Sequence, residues 1–216
     1  MNSQYDTIIF DLDGTLLNTL EDLTDACNYV LEKYHYSKRT IEEIRSFVGN
    51  GIRRLLELAI PGGLENPAFE EMYESFSVYY MEHCMDKTKP YPQIQELLTE
   101  LKKQEYKMAI VSNKSDAAVK ELRGIFFAKA ITISIGESKG VRKKPAPDTA
   151  LQALKELGAA KENALYVGDS EVDYQTAQNA GMDCVLVSWG FRNREMLESL
   201  RPVAVIDEPM QLLHYL

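Results

Sequence analysis

Six short apolar runs divide the chain, and each ends at a polar residue or a glycine. Ile8-Ile9-Phe10 ends at Asp11, Met108–Val111 at Ser112-Asn113, and Ala130–Ile135 at Gly136. Ala164–Val167 ends at Gly168-Asp169, Cys184–Val187 at Ser188, and Val203–Ile206 at Asp207. Continuous rather than alternating apolarity predicts strands buried on both faces. Between the runs, Ile94–Gln104, Ser115–Gly124, Asp148–Leu157, Val172–Ala180 and Arg194–Leu200 carry apolar residues at helical spacing. Strand–helix alternation predicts βαβ units and a parallel sheet covered by helices on both faces. Pro147 stands where a first helical turn tolerates proline, and Gly158 and Gly181 stand where helices end.

One stretch breaks the alternation. From about Thr19 to Lys89 no strand pattern occurs, and Leu20, Leu23, Cys27, Val30, Leu31 and Tyr34 repeat at helical spacing. Ile41–Phe47, Ile52–Ile60 and Phe69–His83 also predict helices, and Pro61-Gly62-Gly63 predicts a turn. The expected organisation is a core of residues 1–18 and 90–216 with a helical insert of residues 19–89. Hinges are expected near Asn18–Leu20 and Asp86–Pro92. Seven of the twelve tyrosines fall between Tyr29 and Tyr91, so the insert is expected to have its own aromatic core, with Tyr73, Phe76, Tyr79 and Tyr80 in it.

Composition narrows the function classes. The 216 residues carry a net charge of −9, with 45% apolar and 26% charged residues, an ordinary globular balance. The acidic excess argues against nucleic acid and anionic membrane partners. Cys27, Cys84 and Cys184 are far apart and odd in number, which fits buried thiols rather than a disulfide framework. The N-terminal residues have no basic segment before a long apolar one, and no apolar run reaches membrane-spanning length, so a cytoplasmic protein is expected.

Candidate chemistry gathers where strands stop. The carboxyl ends of strands in an open parallel sheet form its ligand crevice. Asp11, Ser112 and Asp169 stand at three such ends. Asp11 and Asp13 share a side if the backbone stays extended, and Gly14 then permits a sharp turn. Adjacent carboxylates are costly without a cation or a proton between them. Asp169, with Asp173 one helical turn on, would complete an all-oxygen set suited to Mg2+. His35, His83 and His214 are scattered and have no metal-ligand spacing. Taken singly, Ser112 suits a helix cap and Lys144 a surface lysine in the run Arg142-Lys143-Lys144.

Taken together, these residues resemble the haloacid dehalogenase superfamily. Asp11-Leu12-Asp13-Gly14-Thr15 is similar to its DxDGT motif, and Ser112-Asn113 to its second motif. Lys144-Pro145-Ala146-Pro147-Asp148 is similar to KPxPD, and Gly168-Asp169-Ser170-Glu171-Val172-Asp173 to GDSxxD. The insert resembles the family's helical C1 cap. Val48-Gly49-Asn50-Gly51 with Leu55, and Ser188-Trp189-Gly190-Phe191, resemble segments of its phosphoglycolate phosphatase branch. Asn18-Thr19 stands where many relatives have Asp-Ser. The resemblance implies a Rossmann-like α/β core with an inserted helical cap.

The resemblance also implies a Mg2+-dependent phosphatase for a small phosphorylated metabolite, phosphoglycolate before others, acting through an aspartyl-phosphate. Asp11 would be the nucleophile and Asp13 the general acid and base. Leu12, Ser112, Asn113 and Lys144 would bind the phosphoryl group. Asp11, Asp13 (through its carbonyl), Asp169 and Asp173 would hold the metal, Asp173 either directly or through its water shell. In the insert, which would close over the site, Asn50, Gly51 and Arg53 are candidates for substrate specificity, with Arg45 and Arg54 beside them. A β-phosphoglucomutase, a pyrophosphatase or a sugar-phosphate phosphatase would share the core residues. A dehalogenase would not need Asp13, and a phosphonatase would need a cap amine. A non-catalytic regulator would be expected to lose one of these groups.

Overall fold

A computed structural model describes residues 4–216. The strands are β1 (Thr7–Phe10), β2 (Leu17–Asn18), β3 (Lys89–Pro90), β4 (Lys107–Ser115), β5 (Ile133–Glu137), β6 (Ala164–Gly168), β7 (Asp183–Val187) and β8 (Ala204–Ile206). The helices are α1 (Leu20–Lys33), α2 (Ile41–Phe47), α3 (Ile52–Ala59), α4 (Phe69–His83), α5 (Ile94–Lys103), α6 (Asp116–Leu122), α7 (Asp148–Leu157), α8 (Glu171–Ala180) and α9 (Arg194–Ser199). The chain forms two compact units. One runs up to Leu17 and resumes at Pro90–Leu216; the other is Asn18–Lys89.

The first unit is a six-stranded sheet in the order β5-β4-β1-β6-β7-β8, with every neighbouring pair parallel. Its strands carry continuous apolar stretches because both faces are covered. Ile8, Phe10, Met108, Ile110, Leu165, Val167, Val185 and Val187 enter one buried cluster. The alternate residues Ile9, Ala109, Val111, Tyr166, Cys184 and Leu186 enter the other. This is the two-residue side-chain period of a strand serving two cores at once. The α/β fold expected from the alternation is the one observed.

Some boundaries moved. The strand expected at Ala130–Ile135 runs Ile133–Glu137, since Ala130 lies in a turn whose amide bonds to Phe127. The helix expected to end near Gly124 stops at Leu122 and continues as a wider turn over Arg123–Phe127. The short β2 and β3 pair as a separate ladder, and two residues are too few to carry a readable period. All three cysteines are buried. Among the described residues, no helix is long and apolar enough to cross a membrane.

The second unit is helical. Phe76 and Tyr80 stack in its interior with ring centroids 5.4 Å apart, while Tyr79, half-buried, stacks on Tyr29 at 4.1 Å. Thr40 caps α2 through a reciprocal pair with Glu43. The two ends of the unit are tied by Asp22, a buried residue of the first turn of α1. Its carboxylate accepts from the amides of Lys87 (3.0 Å) and Thr88 (2.8 Å). Removing it leaves those amides without their acceptor. Asp22→Ala is therefore expected to cost about 3 kcal/mol in urea unfolding followed by helical circular dichroism. Asp22→Asn, which keeps one acceptor oxygen, is expected to cost less.

Candidate active site

Register aligns the ends of three central strands. Phe10 pairs with Ile110 of β4 on one side and Val167 of β6 on the other. Asp11 follows directly, and its amide donates to the Val167 carbonyl at 2.9 Å. The chain then turns on Leu12, whose carbonyl accepts from Leu16 (3.0 Å) and Leu17 (2.9 Å) and whose side chain is wholly buried. Gly14 has φ +91°, and a Cβ there would lie 2.7 Å from the Asp169 carboxyl carbon and 2.8 Å from the Phe191 ring. The motif's glycine is thus required twice, by conformation and by space.

Lys144 joins the strand ends. Its Nζ, 3% exposed as a residue, donates to Asp11 Oδ1 at 2.6 Å and Asp173 Oδ1 at 2.7 Å, with the Tyr166 hydroxyl at 3.3 Å. Tyr166 in turn donates to Asp173 Oδ1 at 3.2 Å. The second Asp173 oxygen accepts from Ser170 Oγ (2.6 Å) and the Asp169 amide (3.2 Å). Asn113 fixes the lysine's main chain from both sides: its Oδ1 accepts from the Lys144 amide at 2.7 Å, and its Nδ2 donates to the Lys144 carbonyl at 3.1 Å. Neighbouring Lys143 is exposed.

A second cation meets Asp13. Lys114 Nζ, buried, donates to Asp13 Oδ1 at 3.1 Å, and Ser112 Oγ lies 3.5 Å from Asp13 Oδ2. The Lys114 amide donates back to Ser112 Oγ at 3.2 Å. Asp13 and Ser112 therefore face each other across the β1–β4 edge, although 99 residues separate them in the chain.

Three buried carboxylates, Asp11, Asp169 and Asp173, each place an oxygen within 4.8 Å of the others. One lysine contacts two of them, which leaves excess buried negative charge. Burial first, and Asp173 second, push the Asp11 carboxyl up to about 7, against the opposing pull of Lys144. Burial, Asp173 and Asp11 also hold Asp169 well above the carboxylate range, opposed by the Phe191 amide. Burial alone would depress the Lys144 ammonium, but Asp11 and Asp173 hold it well above its usual value. The donor set is all oxygen and fits a hard divalent cation. The Asp13 carboxylate lies outside this trio, on Lys114.

The specificity candidates lie in the other unit. Asn50 precedes α3, and Gly51 caps it with φ +83°. Arg53 pairs with both oxygens of Glu70 and lies over the rings of Phe69 (5.1 Å) and Tyr73 (5.6 Å). Its charge is matched inside its own unit. Arg54 pairs with Glu57 at 2.6 Å. Sequence reasoning missed Lys114, Tyr166 and the Phe191 amide as parts of the site. Lys114 had a readable signal, a third polar residue after the apolar run of β4. Tyr166, inside an apolar run, had none.

A carboxyl with a raised folded-state pKa binds its proton more tightly folded than unfolded. Its stabilising contribution is present at low pH and lost as pH rises towards the folded value. Asp11 and Asp169 both act in this sense. The Tm of metal-free protein is therefore expected to fall by several degrees between about pH 5.5 and about pH 8. Mg2+ is expected to restore it more at the upper end than at the lower. A flat Tm across this range, with no effect of Mg2+, contradicts the charge imbalance.

Comparison with known proteins agrees with this geometry. The sequence profile of the haloacid dehalogenase-like hydrolases matches residues 8–187. Phosphoglycolate phosphatase of Aquifex aeolicus is 32% identical over 207 residues, covering 95% of this chain and 94% of that one. Pyrophosphatase PpaX of Bacillus cereus is 31% identical over 212 residues, covering 96% and 94%. The crystal structure of a candidate phosphoglycolate phosphatase from Lactobacillus delbrueckii subsp. bulgaricus superposes with a TM-score of 0.92 at 35% identity, covering 97% of each chain. With its profile matched from β1 through β7 and its four motifs gathered at one sheet edge, this chain belongs to the haloacid dehalogenase-like hydrolases.

Proposed function

We propose that the protein is a Mg2+-dependent phosphatase of a small phosphorylated metabolite, with phosphoglycolate the favoured substrate. The observation that carries the reading is the shared ammonium: Lys144 holds Asp11 and Asp173 together beside Asp169 at the end of the sheet. In this reading the Asp11 carboxylate attacks phosphorus and forms an aspartyl-phosphate. Lys144 keeps Asp11 oriented and offsets the negative charge around the transferring group. Asp13 gives a proton to the leaving oxygen and later takes one from the attacking water. Lys114 and Ser112 hold its two carboxylate oxygens. The Ser112 hydroxyl and the amides of Leu12 and Asn113 are the donors proposed for the phosphoryl oxygens. Asp11, Asp169 and Asp173, with the Asp13 carbonyl, would hold Mg2+. When bound, that ion offsets the repulsion between a carboxylate nucleophile and an anionic substrate.

Residues 19–89 are proposed to act as the cap that selects the substrate, with Asn50 and Gly51 as the leading contacts. Arg53 is the weakest of the three candidates, since its charge is already matched by Glu70. Pyrophosphatase relatives stand at nearly the same identity as the phosphoglycolate phosphatases. A pyrophosphatase is therefore the second reading.

Two measurements test this reading. Asp11→Asn is expected to lower kcat by at least about a thousandfold while leaving the circular dichroism spectrum intact, and substantial residual turnover removes the nucleophile assignment. In a Mg2+ assay against phosphoglycolate, pyrophosphate, sugar phosphates and nucleotides, phosphoglycolate is expected to give the highest kcat/KM. Substitution of Asn50 or Gly51 is expected to change the ranking by about tenfold while a generic aryl phosphate is hydrolysed nearly as before. Equal losses on every substrate would make the segment structural, and a preference for pyrophosphate would select the second reading.

A further inference from the structure

One conspicuous segment is left without a role by the proposed reaction: Ser188-Trp189-Gly190-Phe191, the loop that leaves β7. It does not supply a carboxylate, a nucleophile or a proton donor to the chemistry above. It nonetheless meets Asp169 at two residues and reaches its neighbour Thr15 at a third. The Phe191 amide donates to Asp169 Oδ2 at 2.7 Å, in a buried setting. Gly190 has no room for a side chain, since a Cβ there would meet the Asp169 side chain and lie 2.5 Å from the Gly14 carbonyl. Trp189 Nε1 donates to the Thr15 carbonyl at 3.0 Å, and Thr15 Oγ1 stands 3.5 Å from Asp169 Oδ1. The indole is itself braced by Tyr91, with ring centroids 6.5 Å apart.

These contacts have a common result. Among the described residues no lysine pairs with Asp169 as Lys144 pairs with Asp11 and Asp173, and the cationic charge that acts on it is that of Arg192. What orients it is the Phe191 amide on one oxygen and the Thr15 hydroxyl beside the other, while the carboxylate keeps an oxygen within 4.8 Å of those of Asp11 and Asp173. The indole bond locks the β1 loop, through Thr15, to the β7 loop. A carboxylate held this way is pre-oriented before any ion arrives, so little ordering cost remains for binding.

We propose that the Trp189–Phe191 loop is a clasp that sets the affinity for the divalent cation by fixing the Asp169 carboxylate, with Trp189 and Gly190 as positioning residues. The inference rests on the metal-dependent reading above. It assigns the loop to metal affinity rather than to substrate choice or to the chemical step. Gly190 is needed because only a residue without a side chain lets the Phe191 amide approach Asp169.

The test is direct Mg2+ binding by isothermal titration calorimetry on the full chain, together with kcat at saturating Mg2+ and the Tm without metal. Gly190→Ala is expected to weaken Mg2+ binding by about tenfold or more, and Trp189→Phe, which keeps an aromatic ring but removes the indole donor, by a smaller factor in the same direction. Both are expected to keep kcat at saturating Mg2+ within about threefold of wild type, and KM for the substrate unchanged. Trp189→Phe is the conservative arm that decides the matter if Gly190→Ala does not fold. Wild-type Mg2+ affinity in Trp189→Phe overturns the clasp, as does a loss of kcat that saturating Mg2+ leaves in place. A wild-type chain that binds no Mg2+ at millimolar concentration removes the metal-dependent reading and the clasp with it. A wild-type chain that binds Mg2+ while the folded variants match it removes the clasp alone.

Discussion

A single buried ammonium shared between two carboxylates is the contact on which the site depends. Lys144 reaches Asp11 and Asp173 at 2.6 and 2.7 Å, and a third carboxylate, Asp169, stands within the same cluster. Burying such charges is costly unless each is paired and hydrogen-bonded. The surroundings meet that demand with dedicated partners: Asn113 grips the lysine's main chain, Tyr166 and Ser170 hold Asp173, and the Phe191 amide holds Asp169. Even so, the carboxylates outnumber the lysine. The remaining imbalance is what makes the site receptive to a hard cation.

The sheet makes this concentration of charge possible. Its central strands β4, β1 and β6 are in register, so Asp11, Ser112 and Asp169 emerge at one edge from segments far apart in the chain. Two hydrophobic clusters, one on each face, hold those strands rigidly. A positioned constellation needs such support, because small displacements of reacting groups carry large costs in rate. The net charge of −9 gives an anionic substrate no long-range attraction. Attraction must be local, from Lys144, main-chain donors and the cation that the acidic residues are suited to hold.

The chain's organisation was legible wherever one local signal sufficed. Apolar runs marked four of the six sheet strands to within a residue at the end that carries polar groups, while β4 runs on through Ser112, Asn113 and Lys114 to Ser115. The helix over Asp148–Leu157 agreed with its amphipathic pattern at both ends. Reading failed where several residues had to be weighed together. At Ala130–Ile135 the apolar pattern was correct, but a turn took its first residues. At β2 and β3 the strands were too short to show a period. The pairing of Arg53 with Glu70, and its place over Phe69 and Tyr73, left no local signal, because those partners stand on another helix.

Sequence alone determined the α/β class, the helical character of the insert and the identity of the charged residues at the strand ends, because these follow from short-range periodicity and from motifs a few residues long. Only the tertiary structure decided which charges meet. Lys114 was paired with Asp13, the Tyr166 hydroxyl was brought to Lys144 and Asp173, and the Phe191 amide was set against Asp169. Each of these partners comes from a different strand end or loop, and their separations reflect strand order and register. A hydroxyl inside an apolar run, or a main-chain amide in a loop, leaves no compositional trace. Its meaning arises when burial removes water and the group must find a partner across the sheet.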